Sequence, residues 1–182
     1  MRIIQVLFAI AAVSLFDPVR VSAQWDAGSC RAEALPHSPG PIIEVSAARA
    51  GFLDDAPIEH GAIGAAARWY VNSLVSVGPE VTYMVGPGSD RDLFVTGNLT
   101  TDLRRTGPST RVTPYVLIGA GLFRHSETFS GRSYASTEWG VTAGGGVRIA
   151  ATARLWIAPE FRIGWEPHAR VGVTIGYSID DH

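Results

Sequence analysis

From residue 138 to residue 179 the chain alternates between apolar and polar positions with a period of two. One parity reads Trp139, Val141, Ala143, Val147 and Ile149, then Leu155, Ile157, Phe161, Ile163 and Trp165, then Val171, Val173, Ile175, Tyr177 and Ile179. The other parity carries Glu138, Thr142, Arg148, Arg154, Glu160, Arg162, Arg170, Thr174 and Ser178, spaced by glycines. Successive side chains of a strand point to opposite faces, so this stretch predicts three strands, each with an apolar face and a face of charges and glycines. An apolar face edged by aromatics, opposite a charged one, is the pattern of a membrane barrel turned apolar side out.

The same period runs back towards the N-terminus. Expected strands cover residues 42–52, 60–71, 74–85, 92–104 and 112–124, followed by 138–149, 154–165 and 170–179. The fourth alternates most cleanly, with Leu93, Val95, Leu99 and Leu103 against Asp92, Thr96, Asn98, Thr100 and Asp102. In the fifth, Val116, Leu117 and Ile118 are all apolar. Val116, Ile118, Ala120 and Leu122 are assigned outward so that Gly119 and Gly121 fill the crowded interior. The sum is an all-β chain, an eight-stranded antiparallel up-and-down transmembrane β-barrel over residues 41–179, with strands of about 9–12 residues that suit a tilted bilayer crossing. No run approaches about 18 uninterrupted apolar residues, so no helical span is expected.

An even strand count puts both chain ends on one side, expected to be the periplasm. Turns at 72–73, 104–111 and 150–153 then face inward, and loops at 53–59, 86–91, 125–137 and 166–169 face outward. The longest loop falls outside, as expected for such barrels. Trp69 and Tyr177 fall near the periplasmic rim; Tyr83, Trp139 and Trp165 fall at the outer ends of their strands. All five are on the apolar parity and are assigned to the membrane interface, where an apolar ring body with a polar edge is favoured.

The runs PYVLIGAGL from Pro114, WGVTAGGGVRI from Trp139, LWIAPEFRIGW from Leu155 and the closing VGVTIGY ending at Tyr177 resemble the small bacterial outer-membrane β-barrel proteins. The family includes the N-terminal barrel of outer-membrane protein A and its porin-like relatives. The resemblance covers residues 111–177 most specifically. It implies an outer-membrane location, contact with outer-membrane lipid and lipopolysaccharide, and insertion by the barrel-assembly machinery. Ser178 to His182 follow the last aromatic, whereas that family usually ends on one.

The N-terminus agrees with export. Arg2, an apolar stretch over residues 3–16 and the small-x-small site Val21-Ser22-Ala23 read as a signal peptide over residues 1–23. Residues 24–40, with two glycines and two prolines, read as a flexible tail. The single cysteine, Cys30, falls in that tail and has no internal disulfide partner. Formal charge is −2, too weak to argue for nucleic acid. All basic residues are arginine, whose planar fork suits carboxylate pairing in a confined interior.

Candidate chemistry lies on the charged parity. Glu80, Asp102, Glu138, Arg148, Arg154, Glu160, Arg162 and Arg170, with Arg68 as a further candidate, are assigned to a lumen ion-pair network. A charge enclosed in a narrow barrel must be paired. Eight strands enclose a lumen only wide enough for side chains. The expected function is a monomeric, non-enzymatic outer-membrane barrel of structural or small-porin type with short surface loops. Two alternatives stand beside it: an outer-membrane lipid-acting hydrolase using His125, Ser126 and a carboxylate, and a soluble lipocalin-like ligand-binding barrel with its apolar face inside. A metal site from His60, His125 and His168 lacks ligand spacing; these are expected to be exposed loop histidines, with no metal and no cofactor. Gly144-Gly145-Gly146 lies inside a strand with no following helix, so it is not a nucleotide loop.

Overall fold

The computed structural model describes residues 40–52, 58–103, 111–165 and 167–179. The signal segment, the tail as far as residue 39 with Cys30, most of the 53–59 and 104–111 connections and residues 180–182 lie outside the described residues.

Eight strands form: β1 (Ile42–Phe52), β2 (Ile58–Tyr70), β3 (Val75–Val85), β4 (Arg91–Asp102), β5 (Val112–Phe129), β6 (Arg132–Ala150), β7 (Leu155–Gly164) and β8 (His168–Ser178). Each pairs antiparallel with the next, and β1 pairs with β8 from Ile42↔Ser178 to Phe52↔His168, so the barrel closes without a free edge. A helix long and apolar enough to cross a membrane is absent among the described residues.

The period-2 pattern sorts the two faces. Outward-facing Val45, Ile63, Val81, Leu99, Ile118, Val141, Ile163 and Val173 are all exposed. Trp69, Tyr83, Trp139, Trp165 and Tyr177 are exposed on the same face, Trp139 to 78%. In β5 the outward set is Val116, Ile118, Ala120 and Leu122, while Tyr115, Leu117 and Phe123 are buried. A soluble barrel with an apolar interior would show the reverse. The lipocalin-like alternative is therefore excluded by the direction of Arg162, Arg170 and Arg148, all buried in the lumen.

The lumen is layered. Ala50, Ala62, Met84, Phe94 and Phe123 form an apolar cluster towards the end carrying the β3–β4 and β5–β6 turns. Tyr115, Leu117 and Ala158, with Trp156 against them, form a second towards the end carrying the chain termini. Most of the buried charge is held between and around these clusters. At the terminus end the β2–β3 and β6–β7 turns are short and side-chain capped. Asn72 Oδ1 accepts from the Leu74 and Val75 N–H groups (2.9 and 2.8 Å). Thr152 Oγ1 accepts from those of Arg154 and Leu155 (3.2 and 3.0 Å).

Two expectations are corrected. The supposed long loop at 125–137 is strand: β5 and β6 stay paired through Glu127↔Tyr134 and Thr128↔Ser133. They reverse at Ser130 and Gly131, both at positive φ (51° and 77°), the signature of a two-residue type I′ turn. This extension is exposed on both faces, so it has no apolar parity and reads as loop. The histidines are likewise not loop residues. His60 lies in β2 and His168 in β8, both buried, and His125 lies in β5, half-buried.

Candidate functional site

Glu80 is the hub of the lumen. It projects inward from the middle of β3, and β7 on the far side of the barrel supplies Arg162. The Arg162 Nη1 donates to both Glu80 carboxylate oxygens at 2.8 Å each. Arg170 of β8 donates to Glu80 Oε1 at 3.2 Å, and the Arg68 guanidinium of β2 stands 3.7 Å from Oε2. Asn98 Nδ2 and Thr82 Oγ1 donate to the same carboxylate at 2.8 and 3.1 Å. Arg162 and Arg170 are cross-strand neighbours, a like-charge pair that would repel if Glu80 did not stand between them.

Around this hub the charges are matched. Arg162 Nε donates to Glu160 (2.5 Å), which also accepts from the Tyr115 hydroxyl (2.6 Å). Arg68 Nε donates to Glu44 (2.5 Å), and its Nη1 donates to Thr100. Nearer the termini, Arg148 donates to Asp102, which also accepts from the Tyr70 hydroxyl at 2.7 Å. The Arg148 guanidinium lies over the Tyr115 ring at 4.4 Å and the Trp156 ring at 5.2 Å, a desolvated cation–π arrangement. Among the described residues, four guanidiniums (Arg68, Arg148, Arg162 and Arg170) thus meet four carboxylates (Glu44, Glu80, Asp102 and Glu160). This network is balanced in charge and cross-braced over β1, β2, β3, β4, β6, β7 and β8.

Six of the eight residues assigned from sequence, Glu80, Asp102, Arg148, Glu160, Arg162 and Arg170, lie in this network, and Arg68 lies with them. Two do not. Glu138 is half-buried beside the apolar cluster, opposite Phe123, and makes no ion pair among the described residues. Arg154 sits in the turn before β7 rather than in the strand. Arg148 turns to Asp102 rather than to its neighbours on β7. Sequence reading missed Glu44, Tyr70 and Tyr115. Strict parity from Asp102 and Glu80 would have flagged Tyr115, whose cross-strand partner is Asp102.

The hydrolase constellation does not assemble. His125 Nδ1 faces Asp92 Oδ1 at 2.8 Å, whereas Ser126, next in the strand, sends its hydroxyl to the Arg91 carbonyl at 3.0 Å. Adjacent strand residues point to opposite faces, so the serine is turned away from the imidazole.

No protein-family model matches the chain, and no curated protein sequence matches it. Solved structures do. Neisserial surface protein A aligns at 14% identity with a TM-score of 0.68, over 78% of this chain and 99% of that one. The N-terminal β-barrel domain of Pseudomonas aeruginosa OprF aligns at 14% identity with a TM-score of 0.53, over 78% and 99%. The outer-membrane protein OprG from Pseudomonas aeruginosa aligns at 11% identity with a TM-score of 0.52, over 80% and 98%. The chain therefore has the fold of the small eight-stranded transmembrane barrels. At these identities what is shared is the fold.

Proposed function

We propose that the chain is a bacterial outer-membrane barrel with a structural, surface-displaying role, its lumen closed by ion pairs rather than open to solutes. The observation that carries this reading is Glu80, held by Arg162 from the opposite wall and flanked by Arg170 and Arg68. A void beside Glu160 and Arg170 has a volume of about 10 Å³, at the lower limit for a single water and too small for a hydrated ion. The apolar outer wall and its aromatic ends support contact with outer-membrane lipid and lipopolysaccharide. The fold supports insertion by the barrel-assembly machinery after export. The end bearing the extended β5–β6 hairpin is assigned to the cell surface and the end bearing the termini to the periplasm. The small-porin and hydrolase readings have less behind them: a matched, cross-braced lumen, and a serine turned away from its histidine.

Planar-bilayer recording of the folded full chain tests the closed lumen. The parent is expected to stay at baseline, and Arg162→Ala, which removes the crossing guanidinium, is the comparison. Discrete ohmic steps in the parent would sink the closed-lumen reading and restore the small-porin one.

A further inference from the structure

At the hairpin end of the lumen, past the apolar cluster of Met84, Phe94 and Phe123, two carboxylates and two imidazoles converge. His60 Nε2 lies 2.8 Å from Asp90 Oδ2 and 3.3 Å from Asp92 Oδ2. His125 Nδ1 lies 2.8 Å from Asp92 Oδ1 and 3.5 Å from Asp90 Oδ1. Each carboxylate thus faces both imidazoles. The donor atoms of His60, Asp90 and Asp92 all lie within 4.8 Å of one another. The His60 and Asp92 side chains are 2% and 1% exposed, while His125, at 35%, leaves one side accessible from the mouth.

We propose that His60, Asp90 and Asp92 form a site for one divalent transition-metal ion of the zinc class at the mouth of the barrel, with His125 as the outer partner of the carboxylates. The first argument is charge. In the Glu80 network each carboxylate has an arginine. Here Arg91, the nearest in sequence, turns its Nη1 to the carbonyl oxygens of Gly86, Gly88 and Asp90. Among the described residues, the carboxylates of Asp90 and Asp92 meet no arginine and face the two histidines instead. Two carboxylates and two neutral imidazoles balance one dication without any further group. The second argument is unmet bonding: Asp90 Oδ1 is buried and accepts no hydrogen bond.

Geometry is the third argument. Zinc binds histidine nitrogen and carboxylate oxygen at about 2.0–2.2 Å in a tetrahedron, whose edges are then about 3.3–3.6 Å. His60 Nε2 stands 2.8 and 3.3 Å from the Oδ2 atoms of Asp90 and Asp92, within about half an ångström of such edges. His125 Nδ1 faces the other oxygen of each carboxylate and braces them from outside. The fourth is the tautomer. His60 Nδ1 stands 3.4 Å from the Ile58 carbonyl oxygen, the outer partner that leaves Nε2 as the ligating nitrogen. The backbone makes room as well. A Cβ on Gly86 would fall 2.3 Å from His60 Nε2 and 2.5 Å from Asp90 Oδ2. With three protein ligands, from β2, the β3–β4 turn and β4, one coordination position is left to water, and the ion fastens the mouth.

The test uses the purified full chain folded in detergent, stripped with chelator and titrated with Zn²⁺ itself. The parent is expected to retain one equivalent, with zinc-edge absorption showing one imidazole nitrogen among oxygen ligands, and its thermal midpoint should rise with zinc. Asp90→Asn and His60→Gln, each checked for folding by heat-modifiable gel migration, should weaken binding at least about tenfold and lose the thermal shift. Where a buried variant fails to fold, His125→Ala, which removes the outer partner of Asp92, takes its place, with an expected loss of about tenfold in zinc affinity. No zinc retained by the parent, or equal binding by the parent and the folded variants, overturns the site. The second of these results would assign the zinc to other histidines such as His37 or His182.

Discussion

Arg162 and Glu80 meet across the width of the barrel, one guanidinium nitrogen bonding both carboxylate oxygens at 2.8 Å, from β7 to β3. Four strand positions separate these walls, so the contact ties opposite sides of the barrel rather than neighbours. Glu80 also lies against Arg170 and Arg68, so its removal uncovers more than one cation. Breaking a buried pair by removing one partner costs about 3–5 kcal/mol, because the charge left behind is uncompensated. Glu80→Gln keeps size and shape and should lower unfolding stability by that amount. Urea unfolding in lipid vesicles measures it, and a loss under about 1 kcal/mol would show that the hub is not what braces the lumen.

The layer nearer the termini should respond more weakly. Tyr70→Phe removes only the hydroxyl, which donates to Asp102 at 2.7 Å and accepts from Arg148 Nη1 at 3.1 Å, while Asp102 and Arg148 keep each other. A single hydrogen bond to a charged acceptor is worth about 1.5–3 kcal/mol, less when the acceptor has another partner. Tyr70→Phe should therefore cost about 1–2 kcal/mol in the same assay, and less than Glu80→Gln. A larger loss than at Glu80 would invert the order of the two layers.

Glycines on the two faces of the wall differ in what they permit. A Cβ on Gly121 would fall 1.8 Å from the Val95 carbonyl oxygen and 2.7 Å from Thr96 Cα, both backbone atoms of β4 that cannot turn aside. Gly97, on the outer parity of β4, has nothing within 4 Å of its would-be Cβ. Gly121→Ala should reduce the folded fraction on heat-modifiable gels and destabilise by about 1–3 kcal/mol, in the range of overpacking substitutions. Gly97→Ala should stay within about 0.5 kcal/mol of the parent. Equal behaviour of the two would mean that the β4–β5 approach is not the constraint.

How far the chain could be read in advance follows from where water stands. Within the bilayer one face of each strand meets lipid and the other a packed lumen, so polarity alternates and residues such as Leu93, Val95 and Asp92 declare their faces. That was enough for eight strands, the outward aromatics and most of the charge network. Past the bilayer both faces meet water, so Glu127 to Arg132 carry no parity and the β5–β6 hairpin looked like a loop. The mouth cluster was hidden for a different reason. His60, Asp90, Asp92 and His125 come from three strands and a turn, at separations no local spacing encodes, and only the closed register brings them together. Tyr70 and Tyr115 were missed because a tyrosine reads as an interface ring until its hydroxyl is seen to meet a buried carboxylate.

The outer wall gives the sharpest test of the membrane reading itself. Val173 lies midway along β8, exposed and flanked by outward Ala47 and Pro159 on the neighbouring strands, at the depth where a lipid tail would touch it. Trp139 is also outward, but lies where β6 leaves the lipid-facing band, opposite Leu122. An arginine on the lipid face costs about 2–4 kcal/mol at the bilayer midplane and about 0–1 kcal/mol near the interface. Val173→Arg should therefore be strongly destabilising in vesicles, and Trp139→Arg only mildly so apart from the packing of the lost ring. In a watery setting an arginine at Val173 would simply be solvated and cost little. Unfolding free energies of the two variants in bilayers read this depth dependence directly, and a neutral Val173→Arg would mean that the apolar wall does not face lipid.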